Sequence, residues 1–190
     1  MPSKRDQRLV QSEKAIIEAA IKTFLLNPDA GMSEIAQESG VGRTTLYRHY
    51  DSKQALVQAV ALQCLEEIDK VLEPVYGMQG RQAIEATFEL LLPVADRYRF
   101  LNILWSQAER DPLVSQKMDQ STQDMAWLLQ QAQQNGEIDP TLPLVWLTTF
   151  FDMTLYAAWD LLAREELTTE DAVRFAARSF FSGCGTGVVL

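Results

Sequence analysis

Apolar residues recur at intervals of three and four along this chain, and no stretch alternates apolar and polar residues for long enough to read as a strand. The pattern predicts an all-α fold of about nine helices. Ile17, Ala20, Ile21 and Phe24 share one face of a first helix, with Ser12 as its expected N-cap and Asn27-Pro28-Asp29 as the turn that ends it. A short second helix is expected over 32–38, with Ile35 and Ala36 inward, and Gly40 stops it. A third spans 43–50 and keeps only Leu46 and Tyr50 for packing. Asp51 or Ser52 caps a long fourth helix, on which Ala61, Leu65, Ile68 and Leu72 form one stripe before Pro74 interrupts it. Five further helices are expected over 80–92, 94–108, 112–135, 142–164 and 168–181, separated by Pro93, Asp111-Pro112, Asn135-Gly136 with Pro140, and a Thr168 or Thr169 cap.

The 190 residues are 47% hydrophobic and 23% charged, which places the chain among ordinary globular proteins and away from disordered or fibrous ones. Chemistry narrows sharply. Two cysteines, Cys64 and Cys184, are too few for a disulfide scaffold or a cysteine-built zinc site, and one histidine, His49, removes most metal and histidine-based catalytic arrangements. No cofactor motif occurs, and an all-α enzyme would lack an assembled nucleophile and base. The N-terminus has no apolar signal core, and the longest apolar run, 142–162, is broken by Asp152 and Asp160. The expectation is a soluble, cytoplasmic protein of a reducing compartment, with no membrane span.

Charge is unevenly spread. The net charge is −9, yet residues 1–56 carry +1 and the remainder −10, so the N-terminal segment is the one seat for a polyanion. Within it, Glu38-Ser39-Gly40-Val41-Gly42 joins the second and third helices in the manner of a helix-turn-helix, where glycine permits the sharp turn. Arg43, Thr44, Thr45, Tyr47, Arg48 and His49 then crowd donors, hydroxyls and one aromatic ring onto two turns. Arginine reads guanine bidentately, threonine offers a methyl or hydroxyl, and Tyr47 and Lys53 suit the phosphate backbone. A basic arm of Lys4, Arg5 and Arg8 could add contacts.

The order Ile35-Ala36, Gly40-Val41, Thr45-Leu46-Tyr47, His49-Tyr50, Ser52-Lys53 and Leu56 resembles the head motif of the TetR-type transcriptional regulators, with Tyr50 where phenylalanine is commoner. Gly42 stands where that family often has a capping serine, and Gly31 near its usual threonine. The resemblance covers about the first 60 residues. It implies a DNA-binding head over 1–54, with Arg43, Thr44, Thr45, Tyr47, Arg48, His49 and Lys53 at the contacting positions, and a ligand-binding and dimerisation domain over 55–190.

For that second domain the resemblance implies an apolar ligand cavity, for which Phe88, Leu104, Trp105, Met125, Leu128, Asp152 and Tyr156 are the candidates. Asp152 there would favour a cationic aromatic ligand, while a partner such as Arg178 across a dimer seam is the plainer role for it. Leu155, Trp159, Phe175, Arg178 and Ser179 are the candidate homodimer interface. The function implied is a repressor that binds a palindromic double-stranded operator as a homodimer and is released by a small hydrophobic molecule. The alternative is a ligand-independent DNA-binding dimer with a fully packed bundle.

Overall fold

A computed structural model describes residues 4–186, leaving aside the side chains of residues 4–9 and of Tyr98. Nine α-helices occur among these residues: α1 Lys4–Leu26, α2 Met32–Ser39, α3 Arg43–His49, α4 Lys53–Leu72, α5 Gly80–Leu91, α6 Ala95–Ala108, α7 Pro112–Gln134, α8 Leu144–Ala163 and α9 Thr169–Cys184. Short 3-10 turns at Glu73–Gly77 and Leu92–Val94 follow α4 and α5, each opened by the proline that ends the preceding run. The fold is all-α, as the periodicity requires.

The first helix is longer than its sequence signals suggest. It begins at Lys4 rather than behind a Ser12 cap, because nothing between Lys4 and Ser12 interrupts a helix and a single serine is tolerated inside one. The side chains of Lys4, Arg5 and Arg8 lie outside the described residues.

The chain forms two compact units. The first comprises residues 1–66 and 96–115, the second 67–95 and 116–190. The division differs from the expected 54/55 boundary because α6 belongs with the head: the Phe24 and Phe100 rings lie 6.1 Å apart, Arg97 pairs with Glu18 at 2.6 Å, and Gln54 Nε2 donates to the Gln107 carbonyl at 2.6 Å. Its core is Ile16, Ile21, Phe24, Ile35, Leu46, Leu56, Val60 and Phe100. Burial of side chains this size contributes roughly 1.5–3 kcal/mol each against exposure, which is what holds two helices of eight and seven residues that would not form alone.

The second unit is built on aromatic packing. Phe88 of α5 lies 4.6 Å from Phe151 of α8, and Phe180 of α9 meets Phe88, Phe150 and Phe151 within 6.0 Å. Thr87, buried beside them, donates its hydroxyl to the Ala83 carbonyl and leaves no orphaned polar atom there. Gly80 opens α5 at φ +58°, where a Cβ would come within 2.2 Å of Glu137 Oε2, the atom that accepts from the Arg81 amide. Thr168 caps α9 by accepting from the Asp171 amide, and the end of α9 is tied down where the Asp139 amide donates to the Cys184 carbonyl. Both cysteines are buried and neither forms a disulfide.

Candidate nucleic-acid interface

The turn between α2 and α3 is set by its own residues. Gly40 ends α2 in the left-handed region at φ +66°, which costs other L-residues roughly 1–2 kcal/mol. Ser39 Oγ donates to the Ala36 carbonyl and accepts from the Val41 amide, closing the corner. Gly42 then starts α3 in extended conformation with no side-chain cap. At α2 the missing cap is offset by Glu34, whose carboxylate accepts from the Gly31 amide at 2.8 Å. For α4 the cap is Ser52, accepting from the Ala55 amide.

On α3, Leu46 is fully buried and Tyr50, just past the helix end, is buried too. Tyr50 has no hydrogen-bond partner for its hydroxyl among the described residues, and burial, with a smaller contribution from Glu13, pushes its pKa up to about 12. These two anchors turn the other side of the helix outward. Arg43, Thr44, Tyr47 and Arg48 are exposed, Tyr47 by 49% of its surface, and Thr45 is half-buried. This is the shape of a recognition helix, with donors and a flat ring on a rod short enough to enter a major groove.

Two of the expected contact residues are placed differently from the rest. His49 is half-buried beside Tyr50, with its Nε2 buried and without a partner among the described residues, so it faces the head as much as solvent. Lys53 donates to the Pro28 carbonyl at 2.9 Å and lies over the Phe24 ring. Its ammonium braces the loop between α1 and α2, leaving two N–H groups for an anion.

The expected ligand residues are divided between the two units. Leu104, buried, and Trp105, half-buried, belong to the unit that contains the head. Phe88 is locked in the aromatic cluster, and Met125 and Leu128 are half-buried on α7. Asp152 and Tyr156, expected to face a cavity, lie on the exposed side of α8. Conversely Leu155 and Trp159, expected at a seam, are fully buried within the chain and offer no surface to a partner. The two sets exchange roles because adjacent helical positions differ by about 100°, and α8 is too uniformly apolar for its sequence to fix that phase. Phe175, Arg178 and Ser179 of α9 are exposed. The sequence reading missed Val145, Thr149 and Met153, which complete the exposed stripe of α8; their spacing of four from Val145 to Thr149 and again to Met153 was the available signal.

Asp152 sits where that exposed stripe borders the buried one. Although the residue as a whole is exposed, desolvation by its neighbours pushes the carboxyl up to about 6. On the other side of α9, an open groove of about 550 Å³ runs beside α5, lined by Glu85, Glu89, Glu170, Arg174 and Arg178 over a floor of Ala177 and Phe181. Among the expected ligand and interface residues it includes Arg178 alone.

A helix-turn-helix head whose second short helix turns a basic and hydroxylated face outward, carried by an all-α chain, defines a class of DNA-binding regulators. Residues 16–60 match the family described as bacterial regulatory proteins, tetR family. The HTH-type transcriptional regulator UidR of Escherichia coli is 28% identical over 177 residues, covering 88% of this chain and 90% of that protein. Among solved structures, a TetR family transcription regulator from Marinobacter aquaeolei has a TM-score of 0.76 at 19% identity, covering 94% of this chain and 98% of that one. The TetR-like regulator LfrR of Mycobacterium smegmatis, solved in complex with proflavine, has a TM-score of 0.73 at 20% identity, covering 95% and 97%. Residues 16–60 thus carry the head of the TetR family of transcriptional regulators, and the relatives the chain matches over most of its length are named regulators rather than enzymes. Among the described residues no helix is long and apolar enough to cross a membrane.

Proposed function

We propose that the chain is a homodimeric repressor that binds a palindromic operator in the cytoplasm through α3 and is released by a small hydrophobic molecule. The observation that carries the DNA reading is the outward face of α3, where Arg43, Thr44, Tyr47 and Arg48 are exposed around a buried Leu46. One short helix reads few base pairs, so two heads related by a two-fold axis, meeting major grooves one or more helical turns apart, supply the affinity. Arg43, Thr44 and Thr45 are assigned to base edges, and Tyr47, Arg48, His49 and the spare donors of Lys53 to phosphate.

The exposed apolar stripe of α8, with Phe175 and Ser179 of α9, supports the dimer: a contiguous patch of this kind marks an interaction surface. LfrR with its proflavine supports a ligand lodged in the bundle. Such a molecule releases DNA only by preferring the arrangement that does not bind it, since affinity alone shifts nothing. The closed aromatic cluster around Phe88 favours a second reading, a ligand-independent dimer with a packed bundle.

Selection of bound sequences from random duplex DNA, repeated with Thr44→Ala and Tyr47→Ala, tests the head. The parent chain is expected to enrich an inverted repeat, Thr44→Ala to lose preference with about 1–3 kcal/mol weaker binding for the base contact removed, and Tyr47→Ala, a phosphate contact, to weaken binding about equally across sequences. Unchanged selection would overturn the assignment. Adding a panel of lipophilic compounds to the same assay separates the two readings, since only a ligand-responsive bundle gives release.

A further inference from the structure

The groove between α5 and α9 lies wholly within the second unit, and its charges do not cancel across it. Arg81 is engaged on its own wall: its guanidinium pairs with Glu85 at 2.7 Å and covers the Phe181 ring at 4.3 Å, closing that end. On the α9 wall Arg174 pairs with Asp171. Three charged groups remain, Glu89, Glu170 and Arg178, and none of them has a hydrogen bond or ion pair among the described residues. Exposed charges need no partner to be tolerated. What sets these apart is that opposite charges share one groove of about 550 Å³ without meeting.

Their order follows from the helices. The Glu137 carboxylate accepts from the Arg81 amide and the Asp139 amide donates to the Cys184 carbonyl, so one loop ties the start of α5 to the end of α9. The turn at Leu92–Val94, which follows α5, also meets α9, and the two helices therefore run antiparallel. Arg81 and Phe181 mark one end of the groove, Glu89 and Glu170 the other. Arg178 stands one turn from Phe181 and eight residues from Glu170, about 12 Å along the helix axis. Between them Val173, Ala177 and Phe181, spaced by four, form an apolar floor.

We propose that this groove binds a short apolar peptide with both termini free, its ammonium between Glu89 and Glu170 and its carboxylate on Arg178. An extended peptide advances about 3.3–3.6 Å per residue, so three residues span roughly 10–11 Å and match the separation of the charges. A single amino acid is too short to reach both ends, and a plain cation leaves Arg178 unanswered. A carboxylate meets a guanidinium bidentately, and an ammonium divides its three donors between two carboxylates. The floor takes the apolar side chains, and the groove has the volume of a small-ligand site. It lies at the surface of its unit and depends on neither the operator nor the bundle ligand proposed above.

Isothermal titration calorimetry of the full chain with the tripeptide Leu-Ala-Leu tests the site, beside the same peptide N-acetylated and the same peptide C-amidated. The free peptide is expected to bind at about 1 mM or tighter, and each cap to weaken it by about fivefold. Arg178→Gln should then bind free and amidated peptide alike, and the double variant Glu89→Gln with Glu170→Gln should bind free and acetylated peptide alike, each keeping its response to the other cap. All three side chains are exposed, so helix content by circular dichroism should stay at the parent level. Absence of binding at about 10 mM peptide, affinity indifferent to either cap, or cap effects that persist in the variants would each overturn the assignment.

Discussion

Helices α3 and α8 pose opposite problems to their own side chains. In α3 the residues that pack and those that face out differ in kind: Leu46 is enclosed, while Arg43, Thr44, Tyr47 and Arg48 are left to solvent. In α8, Val145, Met153 and Tyr156 face out while Leu147, Phe151, Leu155 and Trp159 face in, and both faces are apolar. A helix with contrast has its orientation written into it. One without contrast is oriented by its neighbours, and its uncovered apolar half points to a further partner.

The largest expected effect tests the phase of α8. Trp159→Ala, in the enclosed set, should lower stability by about 3–5 kcal/mol, whereas Met153→Ala, in the uncovered set, should change it by less than about 0.5 kcal/mol in the protomer. Thermal or urea unfolding checks this at dilutions where the chain is monomeric. Equal losses would remove the distinction between the two faces.

A middling effect comes from Asp152. Its carboxyl titrates at about 6 in the fold, above the ordinary value, so protonation stabilises the folded protomer. That advantage is complete below the unfolded value near 4 and disappears as pH rises through about 6. Asp152→Asn should therefore match the parent at pH 4 and be the more stable protomer above pH 6, by about 1 kcal/mol once solvent screening at this exposed position is allowed for. A pH-independent difference between the two chains would contradict the desolvation of this carboxyl.

The smallest effect sharpens the α3 side. Gly42 starts that helix without a side-chain cap, in a conformation open to any residue, and a Cβ there meets nothing within 4 Å. Gly42→Ser should stabilise the head by a few tenths of a kcal/mol, read as a small rise in melting temperature. A fall would mean that serine finds no amide to accept from.

Much of the head was legible in advance. Gly40, the Asn27-Pro28 turn and the spacing of Leu46 and Tyr50 carry local conformational and steric rules that need no distant partner, and the recognition face follows from them. Lys53 and His49 were less legible, since the Pro28 carbonyl and the Phe24 ring that engage Lys53 lie a full helix earlier in the chain. The start of α1 was misplaced because a helix-compatible stretch gives no signal where nothing stops it. The candidate ligand set was assembled from residue type alone, and the fold divides it between the two units.

The amino-acid order by itself determined the helices, the corner between α2 and α3 and the side of α3 that meets solvent, because these depend on backbone preferences and on polar contrast within a few residues. Tertiary structure alone decided that α6 joins the head and that Leu155 and Trp159 turn inward. Those outcomes depend on which apolar surfaces find each other across long separations, and apolar side chains carry no label saying which neighbour they will meet.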